Sequence, residues 1–235
     1  MIEESKRIFF LRDDKTSDFE AQFHYVCTPT QELLVHWKAY LHPEELKRYN
    51  TMSAIRQKSF IMGRYCAKRS LLNTTHLEDY QSLLIANGIF GHPVLKSNGF
   101  LNTHLSLAHT KQAAVALSFS EEHPLGIDIE EISDRHIRAI QKYLSDQEKN
   151  NVLALEKSLL CTLLWAVKES ISKVLKTGLM TPFHLFETEH MTQLSTTEFS
   201  CEFKFFKQYK CLAFIKDSVV IAISHPKQSV PIFKS

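Results

Sequence analysis

An internal repeat constrains this chain more than any other feature of its sequence. Three segments of the first half have counterparts in the same order in the second half, roughly 104 positions later. The paired segments are residues 41–45 with 144–148, residues 54–72 with 158–176, and residues 111–117 with 216–223. Chance could explain any one pair, because identity is low, but three pairs at a near-constant offset favour a duplicated α+β unit. We expect a boundary near residues 120–124, which gives halves of residues 1–122 and 123–235.

Composition is that of an ordinary globular protein. The chain has 235 residues, of which 44% are hydrophobic and 23% charged. Its net charge of +2 gives no support for nucleic-acid binding, and no apolar run reaches the length of a membrane span. The five cysteines form no C-x-x-C pair, and the acidic, mixed N-terminus is unlike a signal peptide. We therefore expect a cytoplasmic protein with free thiols and no nucleic-acid or membrane partner.

The segment Gly126-Ile127-Asp128-Ile129-Glu130 alternates two acids with two isoleucines. Side chains alternate faces along a strand, so Asp128 and Glu130 are expected on one face and the isoleucines in a core. One interpretation is a half-exposed strand whose acids lie in water. The other is a cation site, because a cation removes the repulsion between like charges and Mg²⁺ prefers carboxylate oxygens.

A helix expected over residues 158–176 supplies a third acid. Its leucine, isoleucine and valine residues form one apolar stripe, whereas Trp165, Glu169 and Lys173 follow at i, i+4 and i+8 on the opposite side. A surface ion pair would explain Glu169 and Lys173 alone. Trp165 favours the wall of a cleft, because tryptophan is rarely left in water. Lys168 is expected at the edge of that cleft, and Gly178 suits the cap that ends the helix.

Together these residues resemble a known family. The GIDIE strand and the later Trp165-x-x-Lys168-Glu169-Ser170-x-x-Lys173 are similar to the paired signature of the 4′-phosphopantetheinyl transferases. Length and repeat resemble the larger, Sfp-type branch. The resemblance implies an α+β fold of two pseudo-symmetric α/β halves with the active site in the cleft between them, in a monomer. It runs from about Leu41 to the C-terminus, and residues 1–40 contribute nothing specific.

The resemblance also implies a reaction. The family transfers 4′-phosphopantetheine from coenzyme A to a serine of an acyl or peptidyl carrier protein and releases 3′,5′-ADP. Asp128, Glu130 and Glu169 would hold Mg²⁺ in the C-terminal, catalytic half. Glu169, or a metal-bound water, would take the serine proton, and Lys173 would contact the pyrophosphate. Fatty-acid, polyketide and nonribosomal peptide carriers all remain open.

Coenzyme A binding is implied mainly for the N-terminal half. Turn signals at Asn87-Gly88, Gly91-His92-Pro93 and Asn98-Gly99 precede a buried strand at residues 113–117. His92 replaces the lysine of a G-K-P turn, and Ala108 replaces the serine of an S-H-[ST] element. The expected coenzyme A ligands are Arg48, Arg56, Gly91, His92, Pro93, Ala108, His109, Thr110 and Lys173. Arg64 is interpreted as a solvated helix charge, and Arg135, Arg138 and Lys142 as a surface for an acidic carrier.

Two other functions fit parts of the pattern. Metal-dependent nucleases or phosphodiesterases also combine an acid pair with a lysine, but they are expected to carry a basic groove. A coenzyme A-binding or carrier-binding module without activity would not need the intact acids and Lys173.

Overall fold

The computed structural model describes residues 2–12, 18–27, 33, 35–72, 79–96, 102–150 and 155–234. The turn predicted at Asn98-Gly99 lies outside them. The strands are β1 Ile2–Arg12, β2 Asp18–Cys27, β3 Ile85–Asn87, β4 Pro93–Leu95, β5 Thr103–His109, β6 Ala113–Ser120, β7 Gly126–Glu131, β8 Thr188–Gln193, β9 Glu198–Phe203, β10 Tyr209–Lys216, β11 Val219–Pro226 and β12 Ser229–Lys234. The α-helices are α1 Pro43–Tyr49, α2 Ala54–Leu72, α3 Ile137–Ile140, α4 Asp146–Lys149 and α5 Lys157–Val174. This mixed architecture confirms the predicted α+β class.

The chain divides into two compact units. The first consists of residues 1–124 together with 229–235, and the second of residues 125–228. The predicted second half ran to residue 235, whereas the last strand pairs with β1 and so joins the first unit. Among the described helices, none combines the length and apolar character needed to cross a membrane.

The first unit is an antiparallel sheet with a long helix on one face. Its strand order is β12-β1-β2-β6-β5, and β3 and β4 form a separate hairpin. The central strand β6 is buried along nearly its whole length, as its apolar sequence predicts. Helix α2 contributes Ile61, Met62, Cys66, Ala67 and Leu71 to a core shared with β2, β5 and β6.

The second unit repeats this plan. Its strand order is β7-β11-β10-β9-β8, and β11 is buried like β6. Helix α5 contributes Leu163, Ala166, Val167, Ile171 and Val174 to the core, which also contains phenylalanines of β9. Strand β7 pairs with β11 as β2 pairs with β6. Residues 18–27, for which the sequence suggested nothing specific, therefore form the first unit's counterpart of the GIDIE strand.

A buried lysine–glutamate pair recurs in both units. Glu45 caps the start of α1 through the backbone of His42 and accepts from Lys68 Nζ at 2.6 Å. Glu148 likewise caps α4 through the backbone of Ser145 and accepts from Lys168 Nζ at 2.9 Å. All four charged side chains in these pairs are nearly inaccessible to solvent. These matching contacts are independent structural support for the internal repeat. They pair Lys68 with Lys168, so the predicted pairing of residues 54–72 with residues 158–176 is wrong by one helical turn.

The matched pairs also correct the interpretation of Lys168. Its side chain is 0% exposed and also donates to Tyr143 O at 3.3 Å. The second oxygen of Glu148 accepts from Thr188 N at 2.9 Å, so the pair ties α5 to α4 and β8. Lys168 is therefore an internal structural residue, and the prediction that it lies at the edge of a cleft is wrong.

Strand β7 and helix α5 approach each other at the main chain of Gly126. A Cβ atom at Gly126 would overlap Ser170 O and would lie 2.8 Å from Val174 N. Glycine is therefore required at the start of the GIDIE strand for close approach rather than for an unusual backbone angle.

Gly126→Ala should lower the free energy of unfolding by about 2–4 kcal/mol, because two backbone segments must separate to admit one methyl group. Urea denaturation measures this loss. Gly63→Ala in α2 is the matched control, because its Cβ would meet only side-chain atoms of Leu107 and His109 at 3.5 Å. Alanine also favours a helix over glycine, so the control should be neutral or more stable. Equal effects of the two substitutions would contradict the proposed close approach.

Candidate active site

Strand β7 places Asp128 and Glu130 on one face of the second sheet, opposite Ala222 and Val220 of β11. Ile127 and Ile129 are buried on the other face. Asp128 itself is only 5% exposed, and Glu130 is partly buried. The interpretation of a half-exposed strand with its acids in water is therefore wrong, because helix α5 covers this face.

Helix α5 presents a narrow polar stripe within an otherwise buried surface. From Leu160 to Val174, a stretch that the structure describes completely, all residues except Trp165, Glu169 and Lys173 are buried. These three residues follow at the predicted spacing of four. The rest of the fold therefore covers this part of α5 on every other side, and a ligand can reach it at this stripe.

Direct contacts join the stripe to the acids of β7. Lys173 Nζ donates to Asp128 Oδ1 at 2.7 Å and to Ile127 O at 2.9 Å. Trp165 Nε1 donates to Glu130 Oε1 at 3.1 Å, and the indole stacks on Phe183 with ring centroids 4.8 Å apart. The predicted residues of the second unit therefore form one cluster, although Lys173 contacts an acid here rather than a phosphate.

Mutual repulsion and burial dominate the electrostatics of this cluster. Burial, with further repulsion from Asp128 and Glu169, raises the pKa of Glu130 to about 8. Burial and then the charge of Asp128 raise the pKa of Glu169 to about 7. Lys173 acts in the opposite direction on both groups. The site thus holds more acidic groups than its single lysine can neutralise.

The donor atoms suit a divalent cation in kind and charge. Asp128 Oδ2 is buried and has no hydrogen-bond partner in the described part of the chain, and such an atom is costly unless it meets a cation or donor. As the side chains stand, however, no three histidine, cysteine, aspartate or glutamate residues among those described are close enough to hold one metal ion. Instead, Trp165 donates a hydrogen bond to Glu130, and Lys173 donates one to Asp128. A shared ion therefore requires at least one side chain to turn from its present contact.

A pocket opens beside Glu130 and Trp165 within the second unit. Its walls come from the end of β7, from residues 133–143 and from α5. Ala139, Ile140 and Tyr143 give it apolar surface. His136 and Thr162 add polar groups. It could accommodate a narrow chain of mixed polarity next to the acids.

The predicted coenzyme A residues of the first unit lie in the last turn of α1, near the start of α2, in the β3–β4 turn and at the end of β5. Arg48 donates to Asn87 Oδ1 at 2.7 Å, and Arg56 is exposed near the start of α2. Gly91 has a φ of +83° in the β3–β4 turn, which suits glycine. His92, Pro93, Ala108 and His109 lie in or beside β4 and β5. Thr110 accepts from the backbone of Gln112 and Ala113, so its hydroxyl shapes the turn.

Arg64 is a residue that sequence reasoning missed. It is 6% exposed, its Nε lies 3.2 Å from Glu45 Oε1, and its guanidinium covers Phe60 at 4.7 Å from the ring centroid. Burial lowers its pKa to about 10. The interpretation as a solvated charge is wrong. Arg64 contacts the carboxylate of Glu45 and the amide of Asn87, both distant in sequence. Only these two partners could have indicated that Arg64 is buried.

Comparison with known proteins gives a match to a family model in the second unit. Residues 124–224 match the model of the 4′-phosphopantetheinyl transferase superfamily. A comparison with curated proteins gives no match. Among solved structures, a holo-(acyl-carrier-protein) synthase from Bacillus anthracis in complex with CoA (3′,5′-ADP) is similar at 18% identity and a TM-score of 0.40, over 48% of this chain and 96% of that chain. The matched segment, residues 124–224, includes Asp128, Glu130, Glu169 and Lys173, and it matches the same 4′-phosphopantetheinyl transferase superfamily that these residues resemble in the sequence.

Proposed function

We propose that this chain transfers 4′-phosphopantetheine from coenzyme A to a serine hydroxyl of an acyl or peptidyl carrier protein, and that it is a monomer of the Sfp-type branch. One observation carries the proposal. Within the segment that matches the family, two acids of β7 meet the Trp165–Glu169–Lys173 stripe of α5. A nuclease would be expected to show a basic groove in addition, which the net charge of +2 does not suggest.

Asp128, Glu130 and Glu169 are the residues that would hold Mg²⁺ in this proposal. When bound, Mg²⁺ would polarise the transferred phosphoryl group and offset its developing negative charge. The raised pKa values of Glu130 and Glu169 and the unpartnered Asp128 Oδ2 support such a role. In each case a positive charge nearby would favour the ionised carboxylate.

Glu169 is the proposed general base. The serine oxygen attacks the phosphorus that carries the pantetheine, the bond from that phosphorus to the oxygen bridging it to 3′,5′-ADP breaks, and Glu169 takes the serine proton. A carboxylate can take this proton only in its ionised form, which the positive charge of Mg²⁺ nearby would favour. Lys173 would turn from Asp128 to the pyrophosphate and offset charge on the departing 3′,5′-ADP.

The first unit would bind coenzyme A in this proposal, and the second would supply the metal ligands and the base. The residues that would contact coenzyme A are Arg48, Arg56, Gly91, His92, Pro93, Ala108, His109 and Thr110, with Lys173. Arg48 is supported as an anion ligand because Asn87 orients its guanidinium at an exposed position. The exposed residues Arg135 and Arg138 are candidates for contact with an acidic carrier protein.

Intact-mass spectrometry of a carrier protein tests the function. The apo carrier is incubated with coenzyme A, Mg²⁺ and this protein, and a gain of one phosphopantetheine supports the proposal. A carrier with its serine replaced by alanine is the control and should gain nothing. Cleavage of DNA without carrier modification would support a nuclease instead. Coenzyme A binding without either reaction would support a module that lacks activity.

Mg²⁺ at 10 mM should raise the melting temperature of the metal-free protein by about 5 °C, because a ligand that binds only the folded state stabilises it. Asp128→Asn should remove most of this shift, whereas Asp134→Asn, at an exposed position outside the cluster, should retain it. Differential scanning fluorimetry with and without EDTA measures both. An unchanged shift in Asp128→Asn would exclude Asp128 as a ligand.

A further inference from the structure

The internal repeat allows the acid site to be compared with its counterpart in the first unit. Ser118 of β6 donates to Ser70 O of α2 at 2.9 Å, and Ser224 of β11 contacts Ser170 of α5 at 2.6 Å. These contacts set the register of each central strand against its helix. His24 of β2 lies opposite Ala116, two positions before Ser118, just as Asp128 lies opposite Ala222, two positions before Ser224. His24 therefore corresponds to Asp128.

The same register relates the helices. The buried lysines Lys68 and Lys168 correspond, so Tyr65 is the counterpart of Trp165 and Arg69 the counterpart of Glu169. An acid site in the second unit thus corresponds to an imidazole, a phenol and a guanidinium in the first. All three groups of the first unit can donate hydrogen bonds to an anion.

These three groups converge on one carboxylate of the chain itself. Tyr65 OH donates to Glu3 Oε1 at 3.1 Å and Arg69 Nε donates to the same oxygen at 3.2 Å. His24 Nε2 lies 3.2 Å from it. His24 is inaccessible to solvent, and its imidazole beside Glu3 is the main cause that lowers the pKa of Glu3 to about 2. The cluster therefore has the composition of a carboxylate-binding site.

The strand that carries Glu3 has no equivalent in the second sheet. Strand β1 lies beside β2 in the first sheet, whereas the order of the second sheet, over the described residues, begins at β7. Ser5 pairs with His24 in the β1–β2 ladder, and its Oγ lies 2.8 Å from His24 Nδ1. When Ser5 donates this bond, His24 carries its proton on Nε2, which faces Glu3. Strand β1 thus supplies both the carboxylate and the group that orients the imidazole towards it.

We propose that the first unit contains a carboxylate-binding site formed by His24, Tyr65 and Arg69, the duplicated counterpart of the acid site with reversed charge, and that Glu3 is its built-in ligand. Removal of the Glu3 side chain should therefore create a site for small carboxylates such as acetate or formate. This inference does not depend on the proposed transferase activity.

Thermal unfolding of Glu3→Ala in the full chain tests the inference. In chloride buffer the variant should melt about 5 °C below the wild type, because the buried His24 and the partly buried Tyr65 and Arg69 lose their acceptor. Sodium acetate or formate at 0.2 M should recover about half of this loss in a saturable way, whereas chloride at equal ionic strength should not. Glu4→Ala is the control, because Glu4 is similarly buried on the other face of β1 and pairs with Lys6. Its melting temperature should not respond specifically to acetate.

Glu3→Gln distinguishes specific carboxylate binding from a response to any empty space at this position. Its amide should fill the site, so this variant should lose stability without responding to acetate. If Glu3→Ala does not fold in chloride, folding in acetate or formate, read by circular dichroism, would support the proposal, and failure in all three anions would overturn it. A response to acetate no larger in Glu3→Ala than in Glu4→Ala would also overturn it.

Discussion

Replacement of Glu169 by glutamine should lower the rate of the proposed phosphopantetheine transfer by about 10³-fold, because it removes both the proposed general base and a proposed ligand of Mg²⁺. The fold should tolerate the change. A pKa of about 7 means that the carboxyl is readily protonated in the folded chain, and glutamine resembles the protonated form in size and polarity. The rate is measured as the mass gain of an apo carrier protein at pH 7 with saturating coenzyme A and Mg²⁺.

Glu156→Gln is the matched control for this experiment. Glu156 is an exposed residue at the start of the same helix, and its side chain makes no capping hydrogen bond. It should transfer at the wild-type rate. Both variants should give wild-type circular dichroism spectra. Near-normal turnover by Glu169→Gln would remove Glu169 from the mechanism.

Replacement of Lys168 by methionine should lower the free energy of unfolding by about 3–5 kcal/mol, because it leaves the Glu148 carboxylate buried without its counter-ion. The melting temperature should fall by about 10 °C, given the usual relation for chains of this size. The hydrogen bonds from the backbone of Ser145 and Thr188 to Glu148 would remain and limit the loss. Urea denaturation measures the effect.

Two further variants make this second experiment specific. Lys157→Met changes an exposed lysine at the first residue of α5 and should alter stability by less than about 0.5 kcal/mol. The double variant Lys168→Met, Glu148→Gln should recover part of the loss, because no unpaired charge then remains in the core. A lysine at the edge of a cleft would give the opposite result, with reduced activity at unchanged stability.

The sequence predicted that these residues of the second unit lie together, because they repeat with the period of one strand or one helix. Asp128 and Glu130 alternate with isoleucines, and Trp165, Glu169 and Lys173 recur every four residues. These patterns are local, so they could be interpreted without knowledge of the fold. Burial of Asp128 could not be predicted in the same way, because it depends on the approach of α5 to Gly126.

The buried charges were missed for a related reason. Arg64 and Lys168 lie on helices, and arginine and lysine are usually found at the surface. Only their glutamate partners, Glu45 and Glu148, show that these two residues are internal. Each partner lies about 20 residues away, beyond the reach of helical periodicity. The correspondence of His24 with Asp128 was likewise hidden, because the residue types differ and only the strand register relates them.

Because Gly126 has no side chain, the candidate site should tolerate substitutions in the hydrophobic interior of the second unit. Strand β7 and helix α5 touch through main-chain atoms at Gly126, two residues before Asp128. The distance between the acids of β7 and the polar side chains of α5 is therefore set by main-chain atoms, which all residues have in common. Hydrophobic residues deeper in the second unit can therefore be exchanged for others of similar volume without changing that separation. The geometry of the candidate site is in this respect insulated from sequence drift in the interior.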